Sequence, residues 1–230
     1  MAAARQETPT ARTLLLDVPE WPGHLAGQHL DVRLTSEDGY SAQRTYSIAT
    51  PDRGARLELT VQLVPHGEVS EFLVTGLQVG DPFEVRGPAG LWFVWRPEDP
   101  TPVLLVAGGS GIVPLMAMAR ARQEVLAAQP FQLIYSVRRP EDVYYRDELR
   151  GLAGNGVGVT LVHTRQAPPE DPRPPARVTR AELASAVDSL PPGLRAYVCG
   201  PTGFVDAVAD GLVALGVPPE SVRTERFGPS

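Results

Sequence analysis

The pattern of apolar and polar positions changes character near the middle of the chain. From Arg12 to about Val94, apolar residues recur in short runs with a period of two, over 13–18, 30–34, 44–48 and 56–63. The last run, Arg-Leu-Glu-Leu-Thr-Val-Gln-Leu, alternates strictly, as a half-buried antiparallel strand does. Residues 69–77 predict a short helix after a turn at Gly67, and 77–90 a further strand closed by Gly87-Pro88. Pro22-Gly23, Asp38-Gly39 and Gly80-Asp81-Pro82 punctuate the runs. Short strands at a spacing of roughly 8 to 12 residues predict a small antiparallel barrel.

From Thr101 onward strands alternate with helices. Apolar runs at 103–107, 131–137, 157–163, 196–199 and near 222–227 predict strands, and helical patterns lie at 112–126, 145–152, 180–187 and 203–215. This order implies a parallel sheet covered on both faces, with ligands at the carboxyl ends of its strands. Thr179-Arg180-Ala181-Glu182 is a capping-box pattern for the third helix. The proline-rich run 168–175 reads as a surface loop. The chain therefore divides into an antiparallel β domain over 1–97 and an α/β domain over 98–230.

Composition narrows the chemistry. The 230 residues, 43% hydrophobic and 21% charged, are enough for a substantial core. A net charge of -6 argues against nucleic acid or an anionic membrane as partner and favours small-molecule work. All 21 basic residues are arginine, which excludes a Schiff-base lysine and a Walker-type phosphate loop. A single cysteine, Cys199, permits no internal disulfide and no cysteine-ligated iron–sulfur cluster. His24, His29, His66 and His163 lack metal-ligand spacing, so any redox centre is organic or belongs to a partner. Residues 1–5 lack the apolar core of a signal peptide, which predicts a cytoplasmic location. The uncharged run 102–119 imitates a membrane span, but its glycines, prolines and change of period point to a buried strand and helix instead.

Several stretches carry candidate chemistry. Gly108-Gly109-Ser110-Gly111 joins the first parallel strand to a helix starting near Ile112, with Pro114 tolerated in its first turn. Such a turn lets a phosphate approach the backbone N–H groups. It departs from the GxGxxG fingerprint because Pro114 stands where the third glycine belongs. The second parallel strand ends in Ser136-Val137-Arg138-Arg139, where an NAD site commonly presents an acid to the ribose. A hydroxyl and two guanidiniums favour NADP(H) over NAD(H), unless the arginines pair with Glu141, Asp142 or Asp147. In the barrel, Arg44 and Tyr46 share one strand face, where a guanidinium beside a phenol suits a phosphate and a flat ring. The bland alternative is an exposed arginine lying along a tyrosine. The helix start after Gly67 is a second anion site, with Ser70 as a plain N-cap the alternative. Cys199 ends the fourth parallel strand, and Glu225 and Phe227 lie on the last.

Arg44-x-Tyr46-Ser47, Gly67-x-Val69-Ser70, Gly108-Gly109-Ser110-Gly111-Ile112, Cys199-Gly200-Pro201 and Glu225-x-Phe227, in this order, resemble the ferredoxin–NADP reductase superfamily. The resemblance covers nearly the whole chain. It implies a Greek-key FAD-binding barrel followed by a Rossmann-like NAD(P)-binding domain, with FMN an alternative to FAD and NADH to NADPH. It would place Arg44 on the flavin phosphates, Tyr46 on the isoalloxazine with Thr45 beside it, and Ser47 near N5. Gly67, Val69 and Ser70 would bind the pyrophosphate. Gly109, Ser110, Gly111 and Ile112 would cradle the nicotinamide nucleotide, Ser136 and Arg138 its adenosine ribose, and Cys199, Gly200 and Pro201 would border the nicotinamide. Glu225 would supply a carboxylate near the reacting rings, and Phe227 would shield the flavin, although relatives often carry tyrosine or tryptophan there.

The implied activity is hydride transfer from NADPH to FAD, then electron transfer to a separate acceptor protein such as a ferredoxin, a haem enzyme or a molybdenum enzyme. Many relatives fuse an iron–sulfur domain, and this sequence carries neither its cysteines nor spare length for one. A flavin reductase or diaphorase acting on small acceptors, and a redox-silent interaction module on the same fold, are the alternative readings.

Overall fold

The structure, a computed structural model, describes residues 1–125 and 129–228. The first part contains β1 (Ala3–Thr8), β2 (Ala11–Asp17), β3 (His29–Thr35), β4 (Ser41–Ser47), β5 (Arg56–Gln62) and β6 (Glu84–Ala89). These form two three-stranded antiparallel sheets, β1-β2-β5 and β4-β3-β6. An antiparallel bridge between Ile48 and Leu59 joins them, so the strand order is β1-β2-β5-β4-β3-β6. Leu14 and Leu16, Leu30 and Val32, and Leu57, Leu59 and Val61 fill the barrel, as the period of two requires. β1 lies outside the expected set because Ala-Ala-Arg-Gln-Glu-Thr has no apolar alternation. Most of it is exposed, and it is held by backbone pairing to β2. The expected helix 69–77 begins as α1 (Glu68–Glu71) and widens into a π-turn over Phe72–Gly76, with Leu73, Val74 and Leu77 packed into the barrel core. The expected strand 77–90 shortens to β6, because Gln78 turns back on Asp81 and Gly80 has φ +100°.

The second part runs β7 (Val103–Gly108), α2 (Ile112–Gln123), β8 (Phe131–Val137), α3 (Arg146–Ala153), β9 (Val157–His163), α4 (Arg180–Asp188), β10 (Arg195–Pro201), α5 (Thr202–Ala214) and β11 (Val222–Phe227). The expected end of α2 near residue 126 falls outside the described residues. The strands form one parallel sheet ordered β11-β10-β7-β8-β9. Strand order reverses between β7 and β10, so their carboxyl ends open the crevice in which such sheets bind ligands. α2 is buried through Arg122, with apolar side chains all round, which is why 102–119 carries no charge. No described helix is long and apolar enough to cross a membrane.

The capping box forms as expected. Thr179 Oγ1 accepts from the Glu182 N–H at 3.2 Å, and the Thr179 N–H donates to Glu182 at 2.7 Å. Glu182 also holds Arg173, whose guanidinium pulls the carboxyl down to about 2 and ties the proline-rich loop to the start of α4.

Barrel and sheet are joined through a buried arginine. Arg120 of α2 donates to the Ala49 carbonyl at 2.8 Å and to Glu58 at 3.1 Å in the barrel, and to Glu148 of α3 at 2.7 and 2.8 Å. Its guanidinium also lies 4.9 Å from the centre of the Tyr145 ring. Burial works against its charge, and the two carboxylates outweigh burial. The Tyr145 N–H donates to Glu7 at 3.0 Å, and its hydroxyl reaches Thr60. On the other flank, the Tyr197 hydroxyl donates to the Val94 carbonyl at 2.8 Å. These contacts set the two halves of the site against each other.

Candidate functional site

On the barrel side, Arg44 stands opposite Val32 and Tyr46 opposite Leu30 in the β3–β4 register. Arg44 is exposed and donates to the neighbouring Gln43 carbonyl at 2.6 Å. Among the described residues it makes no ion pair. Tyr46 is half-buried, and burial pushes its phenol up to about 12, with Arg44 pulling the other way, so it stays neutral. Thr45 points to the opposite face and donates to Asp31 at 2.6 Å.

α1 packs against β4, and Tyr40 donates to Glu68 at 3.0 Å across that contact. The turn before α1 needs a glycine, since a Cβ on Gly67 would lie 2.6 Å from Ser70 Oγ and 3.0 Å from the Val64 carbonyl. Ser70 is not the N-cap. Gly67 is, and the Ser70 hydroxyl donates to the Gly67 carbonyl at 2.9 Å while accepting from the Val64 N–H at 3.1 Å. With Val69 and Ser70 both buried, this turn offers an anion its main chain alone.

On the sheet side, the glycines of the β7–α2 turn have distinct reasons. Gly109 has φ +55° and open space where a side chain would stand. A Cβ on Gly111 would lie 2.2 Å from the Cys199 carbonyl, and one on Gly108 would lie 2.7 Å from the Phe204 ring. Gly109, Ser110 and Gly111 form a 3-10 turn, and buried Ile112 starts α2. Gly200 presses against Gly108, and Pro201 is the exposed N-cap of α5. Two neighbouring strand ends are thus packed so tightly that only backbone fits between them.

At the end of β8, Ser136 is buried and Arg138 exposed. The surface-pairing alternative holds for Arg139, 3.7 Å from Glu141 and with its N–H on Asp142, whereas Arg138 makes no ion pair among the described residues. Sequence reasoning passed over Thr164 and Arg165. Beyond β9 the chain hugs the end of β8, with Thr164 N–H on the Val137 carbonyl and Arg165 N–H on the Arg138 carbonyl, both at 2.9 Å. The available signal was their place just after the third parallel strand, the same topological position that drew attention to Arg138.

At the junction, Cys199 lies opposite Glu225 in the β10–β11 register and is fully buried. Burial, with Glu225 adding to it, pushes the thiol well up, so Cys199 is a neutral packing group. Burial likewise raises the Glu225 carboxyl to about 7. Glu225 Oε2 and Ser47 Oγ are buried without a hydrogen-bond partner. His29 stands opposite Ser47, and its Nδ1 is 3.9 Å from Glu225 Oε1. Phe227 packs half-buried on the core around α2.

Orphaned polar atoms from both halves, an arginine without a carboxylate partner, a neutral phenol and an open glycine turn fit a planar cofactor carrying phosphates. They define a two-module oxidoreductase for a flavin and a nicotinamide nucleotide. The oxidoreductase FAD-binding domain family matches residues 7–94, and the oxidoreductase NAD-binding domain family matches residues 105–210. Ferredoxin–NADP reductase B of Sorangium cellulosum is 33% identical, with 99% of this chain and 96% of that protein covered. The reductase component of the naphthalene 1,2-dioxygenase/salicylate 5-hydroxylase systems of a Ralstonia species is 28% identical over 89% of this chain, which spans 60% of that protein's length. Among solved structures, the Amycolatopsis cytochrome P450 reductase GcoB superposes with a TM-score of 0.83 at 28% identity, covering 99% of this chain and 68% of that one. The chain belongs to the ferredoxin–NADP reductase family.

Proposed function

We propose that this protein draws a hydride from NADPH onto bound FAD and passes the electrons to a separate acceptor protein, a ferredoxin, a haem enzyme or a molybdenum enzyme, in the cytoplasm. Residues 1–97 form the flavin module and 98–230 the nicotinamide module. The reading is supported above all by Arg44 and Tyr46 on one face of β4, a guanidinium without an ion-pair partner among the described residues beside a neutral phenol, on a strand that packs against α1. It draws further support from relatives named as reductases of ferredoxin, of oxygenase systems and of a cytochrome P450.

When bound, FAD supplies acceptance of a hydride and its release as single electrons. The protein's own part is binding, alignment and exclusion of water. Arg44 holds the flavin phosphates together with the main chain of Gly67, Val69 and Ser70. Tyr46 would cover the ring with the main chain of Thr45 beside it, the Thr45 side chain being on the opposite face. Ser47, whose buried hydroxyl has no partner, would meet the ring edge, and Phe227 would shield the ring from the end of β11. Gly109, Ser110, Gly111 and Ile112 carry the dinucleotide phosphates over the switch point. Cys199, Gly200 and Pro201 form the wall for the nicotinamide, with Glu225 beside it. Ser136 and Arg138 receive the adenosine ribose and its 2'-phosphate.

The test is an anaerobic visible spectrum of the purified protein, titrated with NADPH and separately with NADH. Flavin bands that bleach preferentially with NADPH are expected. A protein that stays colourless after reconstitution with FAD or FMN is a binding module on a reductase fold. Arg138→Ala is expected to raise KM for NADPH by about tenfold or more, the worth of one charge-assisted contact, and to leave KM for NADH nearly unchanged. Equal changes for both nucleotides would remove the case for 2'-phosphate recognition.

A further inference from the structure

A cleft between α3 and β9 lies two strands away from the switch point, at the outer edge of the sheet. Its volume of about 410 Å3 is that of a small-molecule pocket. Val159, Leu161 and His163 alternate along β9 onto the face that α3 covers. Eight residues of helix cover this edge strand incompletely. Leu149 is buried against the sheet, whereas Val159 and Leu161 stay half-buried and line the cleft. Pro140, from the turn before α3, and Pro168, from the proline-rich loop, add rigid apolar walls.

Into this apolar lining the fold sets a few polar groups. The His163 side chain is 4% exposed, and its Nδ1 lies 3.3 Å from Asp171 Oδ2. A carboxylate only accepts, so Nδ1 carries the hydrogen, and Nε2 has no hydrogen-bond partner among the described residues. Arg146 and Arg150 reach the cleft from the exposed side of α3. Arg150 is shared with Asp147 at 2.7 Å. Arg146 donates to the Pro140 carbonyl and makes no ion pair among the described residues. Exposed Glu170 is the one acid on the lining among the described residues. The loop wall is held in place, with the Asp171 N–H on the Pro168 carbonyl at 3.0 Å and the Arg173 N–H on Asp171 at 2.9 Å.

We propose that this cleft binds a small organic acid, a compact apolar body that bears a carboxylate and a hydroxyl. The carboxylate meets Arg146, a guanidinium with no acid of its own, with Arg150 beside it. The apolar body lies on Val159 and Leu161, and the hydroxyl donates to Nε2 of His163. A wholly apolar ligand would leave that buried ring nitrogen unpaired. A cation would face two guanidiniums against one carboxylate. The inference does not depend on the reductase reading, because no residue of the cleft is assigned to the flavin or to the nicotinamide nucleotide.

Isothermal titration calorimetry of the purified full chain with 4-hydroxybenzoate, benzoate and phenol tests it. The hydroxy acid is expected to bind about tenfold more tightly than either analogue, each of which lacks one polar contact. Arg146→Gln is expected to weaken both acids by about tenfold and to leave phenol unchanged. Ala153 lines the cleft from an exposed position at the end of α3, so Ala153→Phe fills it without entering the core. That variant is expected to weaken all three probes by about tenfold or more, with an unchanged urea midpoint. A hydroxy-acid dissociation constant above about 10 mM overturns the proposal. So does equal affinity for the hydroxy acid and phenol, or undiminished binding in either variant. Displacement of the probe by saturating NADPH also overturns it, since the cleft would then be part of the nucleotide site. A chain that binds the hydroxy acid and shows no flavin bands keeps this site and loses the reductase reading.

Discussion

Arg44→Ala is expected to release FAD during purification. Arg44 is exposed, donates to a neighbouring main-chain carbonyl and makes no ion pair among the described residues, so its removal leaves no protein carboxylate stranded and should leave folding almost unchanged. Its cost should fall on the cofactor's phosphates. A charge-assisted pair contributes about 1.5–3 kcal/mol, which corresponds to roughly 10- to 100-fold weaker flavin retention. Flavin occupancy after gel filtration measures this directly, and Arg44→Lys should recover part of it because a point charge remains without the planar fork. Wild-type occupancy in Arg44→Ala would sink the assignment, since α1 would then hold the phosphates unaided.

Arg120→Ala should produce the largest loss of stability of any single arginine substitution. Its guanidinium is buried, with the Ala49 carbonyl, Glu58 and Glu148 all converging on it. Removing it leaves a barrel carboxylate and a helix carboxylate facing each other with Arg5 alone, at 4.0 and 3.7 Å, to offset them. Truncating one partner of a fully buried cluster costs about 3–5 kcal/mol, and the half-exposed Glu148 with Arg5 beside it puts the loss here at about 2–3 kcal/mol. Urea unfolding followed by tryptophan fluorescence would show it as a lower midpoint. Because Arg120 ties barrel to sheet, the variant should also lose cooperativity between the halves, visible as a reduced denaturant slope. A double change with Glu148→Gln should cost less than the sum of the single changes, since the stranded charge is then gone. A loss below about 1 kcal/mol would mean that the partners find water when the arginine leaves.

The elements of the second half were legible almost to the residue. β8, β9 and β11 have the expected bounds, α2 starts at Ile112, and the capping box at Thr179 forms. Strong signals coincide there: continuous apolar strands, helix caps and glycine turns. The barrel was harder to read. β1 has no apolar alternation and exists because β2 offers it a ladder, and the π-turn at Phe72–Gly76 has no signature in composition. Ser70 looked like a cap and instead ties the turn that Gly67 caps, a matter of where the Val64 N–H happens to lie.

By itself the sequence determined the order of strands and helices in the second half, the glycine turn at the switch point, and the placing of Arg44 and Tyr46 on one strand face. Those depend on local period and residue chemistry, which are written along the chain. The tertiary structure alone decided that His29 of β3 meets Glu225 of β11, that Arg120 is a buried tie rather than a surface charge, and that Arg165 lies beside Arg138. These contacts join residues far apart in sequence. Their existence depends on how barrel and sheet pack, and no periodicity records the angle at which two such bodies meet.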